Sequence, residues 1–320
     1  MKNCTLFYLV VITGLFCVSG ASCPQNRQLI NDNAPVVLSP NTTLEELIRV
    51  VNTNSSRVQK IQSTGATLTV SQPGVPSVEA NYAFERPYRF RLRAETRLTG
   101  PELDLGSNDE IYWMWVKQNQ EKAVYWGRHD QFYQSAARGV LAVPPQWLIE
   151  ALGVVEMDPT GEHEGPYATR PGHLEVRSRI PTPAGHLTKI TVIESTRGWI
   201  VEQHVYDATN QHLASAFASG FQYDERSGVS LPRQVEIQLP PANMAFTLKT
   251  ERHLVNQIVG DDSQLWSIPK MDGYPYVDLG NPAGMPAVPS QELASPNPYY
   301  QQPVPRNAAI RRLPPFDRLR

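Results

Sequence analysis

Residues 88–93 read YRFRLR, and this alternation of apolar and basic side chains decides the fold class. Successive side chains of an extended strand point to opposite faces, so Phe90 and Leu92 share one face while the arginines share the other. Residues 234–239, QVEIQL, repeat the alternation, with Val235 beginning the apolar series. One dry face and one wet face are typical of antiparallel sheets. The chain is therefore predicted to be mainly β.

Short runs rich in Val, Ile, Tyr, Phe and Thr, separated by turn residues, extend on both sides of these two stretches. Runs of this kind indicate consecutive strands, and about eleven are predicted between residues 64 and 254. Their approximate ranges are 64–71, 77–85, 88–98, 109–117, 122–127, 172–179, 186–194, 198–206, 211–222, 231–239 and 243–254.

Three helices are predicted in addition to these strands, one before the series and two within it. Thr43 with Glu46 makes a capping box, and apolar residues recur at helical spacing after it, so a helix is expected over about residues 43–54. Between the fifth and sixth strands, residues 131–138 and 145–152 have the pattern of two short helices. This insertion is apolar enough to dock on the sheet.

A strongly twisted antiparallel sheet of this size curls toward a barrel, and helices over one mouth would make it a container for apolar ligands. The run at residues 111–116, IYWMWV, is apolar on both faces, so its outer face is expected to be covered too, by the helical insertion. A core filled by the protein's own aromatic side chains remains the alternative. The candidate cavity residues are Tyr82, Phe84, Phe90, Trp113, Trp115, Trp147 and Leu148.

The N-terminal residues 1–22 are typical of a secretory signal peptide, with Lys2 ahead of an apolar run and small residues at the end. The apolar run, about 13 residues, is too short for the roughly 20 that cross a bilayer. Cys23 follows directly and is the only cysteine left after cleavage, so it is the candidate for lipidation and membrane anchoring. Residues 23–41 are expected to form a tether, and the domain to begin at residue 42.

Composition limits the partners. The net charge is −2, with 29 basic and 31 acidic residues, which leaves no basic footprint for nucleic acid. Residues 270–320 are rich in Pro, Tyr, Asn and Gln and are expected to be a disordered tail that contributes little to folding. The folded domain is accordingly predicted to span residues 42–269.

Catalytic motifs are absent from the sequence. It contains no phosphate loop, no Gly-x-Ser-x-Gly elbow and no His-Glu-x-x-His helix. His204 and His212 flank a predicted turn and are expected to be exposed strand-end residues, and Asp104 is expected to be solvated. We therefore expect no enzyme activity, no cofactor and no metal.

The segments Ala83–Phe90, which contains Arg-Pro, and Leu105–Trp115, an aromatic strand after Asn-Asp-Glu, resemble the lipoprotein-carrier superfamily (LolA/LolB-like). Leu265–Pro269 resembles the close of that fold, although Asn-Asp-Glu stands where the family has Ser-Asp-Gly. The resemblance covers residues 42–269 and implies an unclosed antiparallel β-barrel of about eleven strands, with an N-terminal helix and a two-helix lid, that shelters acyl chains. It also implies that Arg86 holds the lid closed by hydrogen bonds.

Two functions are consistent with these features. The first is a non-enzymatic lipoprotein of the cell envelope, on its periplasmic side, that binds acyl chains or a lipidated protein in its barrel. The second is a structural or interaction lipoprotein whose barrel is filled and whose proline-rich tail binds a partner. The departure at the family motif and the tail leave both open.

Overall fold

The computed structural model describes residues 33–72, 74–119, 121–260 and 264–281. The predicted signal peptide, Cys23 and most of the proline-rich tail lie outside the described residues. Among the described residues, no helix is both long enough and apolar enough to cross a membrane.

The described residues form one sheet of fourteen strands. The strands are β1 (Lys60–Val70), β2 (Val78–Glu85), β3 (Arg89–Thr96), β4 (Gly100–Ser107), β5 (Ile111–Val116), β6 (Val124–Arg128), β7 (Glu162–Arg170), β8 (His173–Thr182), β9 (Gly185–Glu194), β10 (Ile200–Tyr206), β11 (His212–Asp224), β12 (Val229–Leu239), β13 (Met244–Val255) and β14 (Tyr276–Asp278).

The strand order is β14-β6-β5-β4-β3-β2-β1-β13-β12-β11-β10-β9-β8-β7. All neighbours pair antiparallel except β14, which runs parallel to β6. The two end strands do not pair with each other, so the barrel is unclosed, as predicted.

All eleven predicted strands are present, and β4, β7 and β14 are additional. β4 and β7 contain Gly and Pro and carry no clear alternation. β7 is in addition an edge strand, whose side chains are exposed or half-buried. β14 has only three residues, too few for a pattern. Local periodicity therefore did not reveal these three strands, although β4 buries Asp104 and Ser107 and places Leu103 and Leu105 against the inner cluster.

Helix α1 (Leu44–Ser56) confirms the predicted N-terminal helix. The Thr43 hydroxyl accepts a hydrogen bond from the Glu46 N–H at 3.2 Å, which satisfies one of the free donors of the first turn. Leu47, Ile48 and Val51 form its buried face. They pack with inner-face residues of β8 to β10, so α1 covers one end of the concave face.

The insertion between β6 and β7 contains a 3-10 helix (His129–Gln134), helix α2 (Ala137–Val140) and helix α3 (Gln146–Ala151). We call residues 129–154 the lid. Helix α3 buries three side chains among the inward residues of β1 to β3 and β11 to β13, namely Trp147, Ile149 and Ala151. The lid thus covers the part of the concave face that α1 leaves open.

The folded region extends beyond the predicted boundaries on both sides. The N–H groups of Val37 and Leu38 donate to the Thr196 carbonyl oxygen at 2.9 and 3.1 Å, and the Leu38 side chain is buried. At the other end β14 pairs with β6 past residue 269, and Leu279 is buried against the lid. Both segments lack periodicity because few of their residues are buried.

Candidate functional site

The concave face beneath the lid is the candidate functional site. Its inward side chains form one apolar cluster with α3, in which Tyr82, Phe84 and Phe90 are each 3 % exposed and Trp147 is 4 % exposed. Leu148 is half-buried against the same cluster. Five of the seven predicted cavity residues therefore lie together inside the barrel.

Small side chains on β11 give the lid room. Ala214 and Ala216 are fully buried on the inner face, opposite Val205 and Gln203 of β10. A larger side chain at either position would occupy the space into which α3 packs. The local sequence of β11 thus determines how deeply the lid enters the barrel.

Trp113 and Trp115 were predicted to line the cavity, and this placement is wrong. Trp113 lies opposite Gly106 of β4, and Trp115 lies opposite Asp104, so both side chains are on the outer face. The six-residue apolar run of β5 has no periodicity that marks the inner face. Tyr112, on the alternate face, packs against the lid residue Phe132 instead.

The outer face of β3 to β5 is covered by residues 264–274, which we call the outer strap. The Trp115 and Tyr274 rings pack edge to face with centroids 5.3 Å apart. The Arg91 guanidinium donates to the carbonyl oxygens of Gln264 and Leu265 at 2.9 and 3.0 Å. The expectation that the helical insertion covers this outer face is therefore wrong, because the outer strap does so.

Asp104 is buried beneath the outer strap rather than solvated. Its carboxylate accepts hydrogen bonds from the Arg91 guanidinium at 2.7 and 3.1 Å and from the Trp113 indole N–H at 2.9 Å. Gly106 leaves space for the Trp113 ring, since a Cβ there would lie 2.1 Å from an indole carbon. These contacts explain why an arginine on the predicted wet face is 3 % exposed.

Arg86 joins two elements, neither of which is a lid helix. Its Nε donates to the Val58 carbonyl oxygen at 2.7 Å, and its Nη2 donates to the Ser55 carbonyl oxygen at 2.8 Å, at the C-terminal end of α1. Its Nη1 forms an ion pair with Glu156, two residues after the lid. Arg86 therefore holds α1 and the end of the lid connection to β2, and does not contact residues 131–152 through any of these bonds.

A cavity of 230 Å³ opens at the mouth of the barrel between the lid and the tips of two hairpins. Phe132, Tyr133 and Arg138 line its lid side, while Leu187 and Leu213 line its sheet side. Burial raises the pKa of the Tyr133 hydroxyl, Arg138 opposes this shift, and the nearby Glu150 carboxylate adds to it. The cavity therefore has mixed walls, with Arg138 on its lid side and His186, Asp207 and Thr209 on its sheet side.

The inner face also carries polar side chains near the lid. Lys189 of β9 is buried and forms an ion pair with Glu150 of α3. The Gln203 amide nitrogen donates to the Glu150 backbone carbonyl oxygen at 3.0 Å. These residues are not predictable from the local sequence, because its one signal is a lysine within the otherwise buried run of β9.

The outer face of β10 and β11 brings both predicted turn histidines together. His204 Nδ1 and His212 Nε2 each lie 2.7 Å from the Ser215 hydroxyl oxygen, and Glu202 lies 3.5 Å from His204 Nε2. The hydrogen bond from His204, against the effect of burial and with help from Arg170, lowers the pKa of Glu202 to about 2. Ser215 is 1 % exposed, so its hydroxyl is closed to a substrate and the cluster is structural.

No group of three or more His, Cys, Asp or Glu side chains within residues 33–72, 74–119, 121–260 and 264–281 is arranged to hold a metal ion. His163, which stands between Glu162 and Glu164 in the sequence, is within hydrogen-bond distance of the Ser178 hydroxyl and the Asp158 carbonyl oxygen.

Comparison with known proteins gives similarity in solved structures only. No protein-family model and no curated protein matches the sequence. A DUF1329 family protein from Desulfovibrio piger is 9 % identical, with a TM-score of 0.47 over 69 % of this chain and 95 % of that one. The LolA superfamily protein NE2245 from Nitrosomonas europaea is 6 % identical, with a TM-score of 0.46 over 70 % and 97 % of the two chains.

A third structure, a domain assigned to outer membrane lipoprotein sorting from Vibrio parahaemolyticus, is 4 % identical, with a TM-score of 0.48 over 68 % and 95 % of the chains. The solved structures to which this chain is similar thus include a LolA superfamily protein and a lipoprotein-sorting domain.

Proposed function

We propose that this protein is a non-enzymatic lipid-binding protein of the cell envelope, which holds acyl chains of a lipid or of a lipidated protein on the concave face beneath its lid. The observation that carries the proposal is the composition of that face. Its buried cluster is apolar and aromatic, and its cover is the lid rather than a second sheet.

The lid is suited to move as a unit. Its helices have six, four and six residues, too short to be stable without packing against the sheet. If the lid lifts, the inner face exposes an apolar surface, which Lys189, Thr191 and Gln203 interrupt on β9 and β10. Each methylene of an acyl chain that then replaces the lid would contribute about 0.8 kcal/mol.

The alternative function, a structural or interaction lipoprotein with a filled barrel, is favoured by one observation. The interior candidates Tyr82, Phe84, Phe90 and Trp147 are at most 4 % exposed, so the lid and sheet fill the closed barrel with their own side chains. The two functions differ in whether a ligand displaces the lid from the inner face of the sheet.

Binding of a fluorescent fatty acid to the purified protein tests this difference, with two tryptophan variants. Trp147→Leu alters the lid inside the barrel, whereas Trp115→Leu alters the outer face. The two tryptophans are matched, since both are 4 % exposed and both indole N–H groups lack a hydrogen-bond partner among the described residues.

We expect saturable binding by the wild type, a changed affinity for folded Trp147→Leu and an unchanged affinity for Trp115→Leu. The absence of binding, together with the absence of lipid from organic extracts of the native protein, would favour the alternative. Equal effects of both substitutions would place binding outside the barrel.

The anchor is a second part of the proposal. Cys23 follows the predicted signal peptide and is expected to carry the lipid. Metabolic labelling with a fatty-acid analogue should label the wild type and not Cys23→Ser. Equal labelling of the two proteins would exclude Cys23 as the anchor.

A further inference from the structure

Among the described residues, the inner face beneath the lid carries a buried cation, Lys189, in a polar region formed by two neighbouring strands. The register pairs Thr191 of β9 with Gln203 of β10, and Lys189 with Val205. Because paired residues of antiparallel strands share a face, Lys189, Thr191 and Gln203 lie on the same side as the apolar Val205. We call these three residues the inner polar patch.

The cation of the inner polar patch depends on the lid for its counter-charge. Lys189 is 5 % exposed, and its ammonium forms an ion pair with Glu150 of α3, 39 positions earlier in the chain. An isolated ammonium buried in an apolar surface is strongly unfavourable, because it loses its hydration without gaining a counter-charge. The lid therefore cannot lift at low cost unless another anion, or water, takes the place of the Glu150 carboxylate.

The inner polar patch also has unused hydrogen-bonding capacity. The Thr191 hydroxyl oxygen and the Gln203 amide oxygen are both buried and have no hydrogen-bond partner among the described residues. Buried polar groups of folded proteins are nearly always bonded. Two unpartnered atoms beside a buried cation indicate a place prepared for a polar group that the closed lid does not supply.

The mouth cavity lies next to this position, and its lining combines apolar side chains with the charged Arg138 and Asp207. Leu187 precedes Lys189 by two residues on the same face of β9 and lines the mouth cavity of 230 Å³. The Glu150 carboxylate is close enough to the cavity residue Tyr133 to affect its pKa. A ligand that enters through the cavity would therefore reach the Glu150–Lys189 pair before the deeper apolar core.

We propose that the ligand is an anionic amphiphile, and that its carboxylate or phosphate group replaces Glu150 on Lys189 while its acyl chain lies on the apolar inner face. Glu150 acts as an internal stand-in for the anionic group and keeps the lid closed in its absence. This inference rests on the proposed function, and it adds the chemical class of the ligand and the residue that recognises it.

The test compares two fluorescent probes with the same chain and fluorophore, a long-chain fatty acid and the corresponding alcohol, at neutral pH. For the wild type we expect the acid to bind more tightly than the alcohol by about tenfold or more. Lys189→Met should remove this preference and keep alcohol binding. Glu150→Gln should raise the affinity for the acid more than that for the alcohol, because it removes the competing carboxylate.

Arg177→Met is the matched control. Arg177 is also a partly buried basic residue in an ion pair, with Glu175 at 2.8 Å, but it lies on β8 opposite Glu164 and Ile190, on the outer face. Its substitution should leave the preference for the acid unchanged. Competition by a lysophospholipid with a phosphate headgroup, and by free acetate and inorganic phosphate, distinguishes an amphiphile from a free anion, and only the amphiphile should compete at comparable concentration.

Equal affinity for acid and alcohol in the wild type would overturn the inference and leave the proposed function standing. A preference that survives Lys189→Met would also overturn it. If Lys189→Met does not fold, Glu150→Gln decides, and the absence of any selective gain for the acid overturns the inference. If neither probe binds, the inference fails together with the proposed function.

Discussion

The buried ion pair between Arg91 and Asp104 should contribute more to the free energy of unfolding than the exposed ion pairs of the outer face do. Arg91→Met keeps much of the side-chain volume and removes the guanidinium, which donates to the carboxylate and to carbonyl oxygens of the outer strap. Asp104 is then left 3 % exposed, with the Trp113 N–H and the more distant Arg93, whose Nε is 3.5 Å away.

Removal of one partner of a buried pair costs about 3–5 kcal/mol. Arg93 partly compensates the carboxylate, so we expect the lower end of this range, about 3 kcal/mol. For a domain of this size each kcal/mol corresponds to about 2–4 °C, which gives a fall in Tm of roughly 6–12 °C.

Urea denaturation and thermal melts of the variant and wild type provide the measurement, with Arg89→Met as control. Arg89 lies two positions away on the same strand and pairs with Asp109 at 2.8 Å, but the two side chains are 37 % and 47 % exposed. An exposed ion pair contributes about 0–1 kcal/mol to the free energy of unfolding. If Arg91→Met costs no more than Arg89→Met, the argument from burial is refuted.

Three further predictions concern other parts of the sheet. Gly106→Ala should lower the free energy of unfolding by about 1–3 kcal/mol, because the added Cβ would overlap the Trp113 ring. A denaturation midpoint equal to that of the wild type would contradict this prediction. Burial, with a smaller effect from Arg233, lowers the pKa of His253 to about 4, against 6.5 when unfolded. Between these values only the unfolded state binds this proton, so the contribution of His253 to stability should be constant above pH 6.5 and fall by up to about 1.4 kcal/mol per pH unit below it. His253→Gln should flatten this slope, and an unchanged slope would count against the assignment. Truncation after Pro269 removes β14 and should lower Tm, whereas an unchanged melt would mean that β14 adds nothing to the fold.

Local sequence was sufficient for most of the secondary structure. Runs rich in β-branched and aromatic residues identified eleven strands, and alternation in some of them marked the buried face, because a strand with one buried face must repeat every second residue. The capping box at Thr43 identified α1, because a helix must satisfy the free N–H groups of its first turn. Both signals depend only on neighbouring residues.

The interior position of the aromatic side chains of β2 and β3 could also be predicted from neighbouring residues alone. Phe84 and Phe90 face each other across the two strands, and both are buried beneath the lid. Their inward orientation follows from alternation with the arginines of β3. Alternation in the sequence was therefore enough to indicate the inward placement of these two aromatic residues.

Tertiary structure alone decided the face of β5. Its six residues are apolar throughout, so no period distinguishes Trp113 from Tyr112. Pairing with Gly106 and Asp104, and cover by the outer strap, place the tryptophans outside. Arg91, which the alternation assigns to the solvent-exposed face, is buried beneath the outer strap. It is buried because carbonyl oxygens from residues far away in the sequence accept hydrogen bonds from its guanidinium.

The inner polar patch was decided in the same way. Lys189 is one lysine within an apolar strand, and Glu150 is one acid on a short helix, with nothing in either segment that points to the other. Only the docking of the lid on the sheet joins them. Periodicity reports which face of an element is buried, whereas the partner of a buried charge depends on which elements meet, and that is determined by the packing of the whole fold.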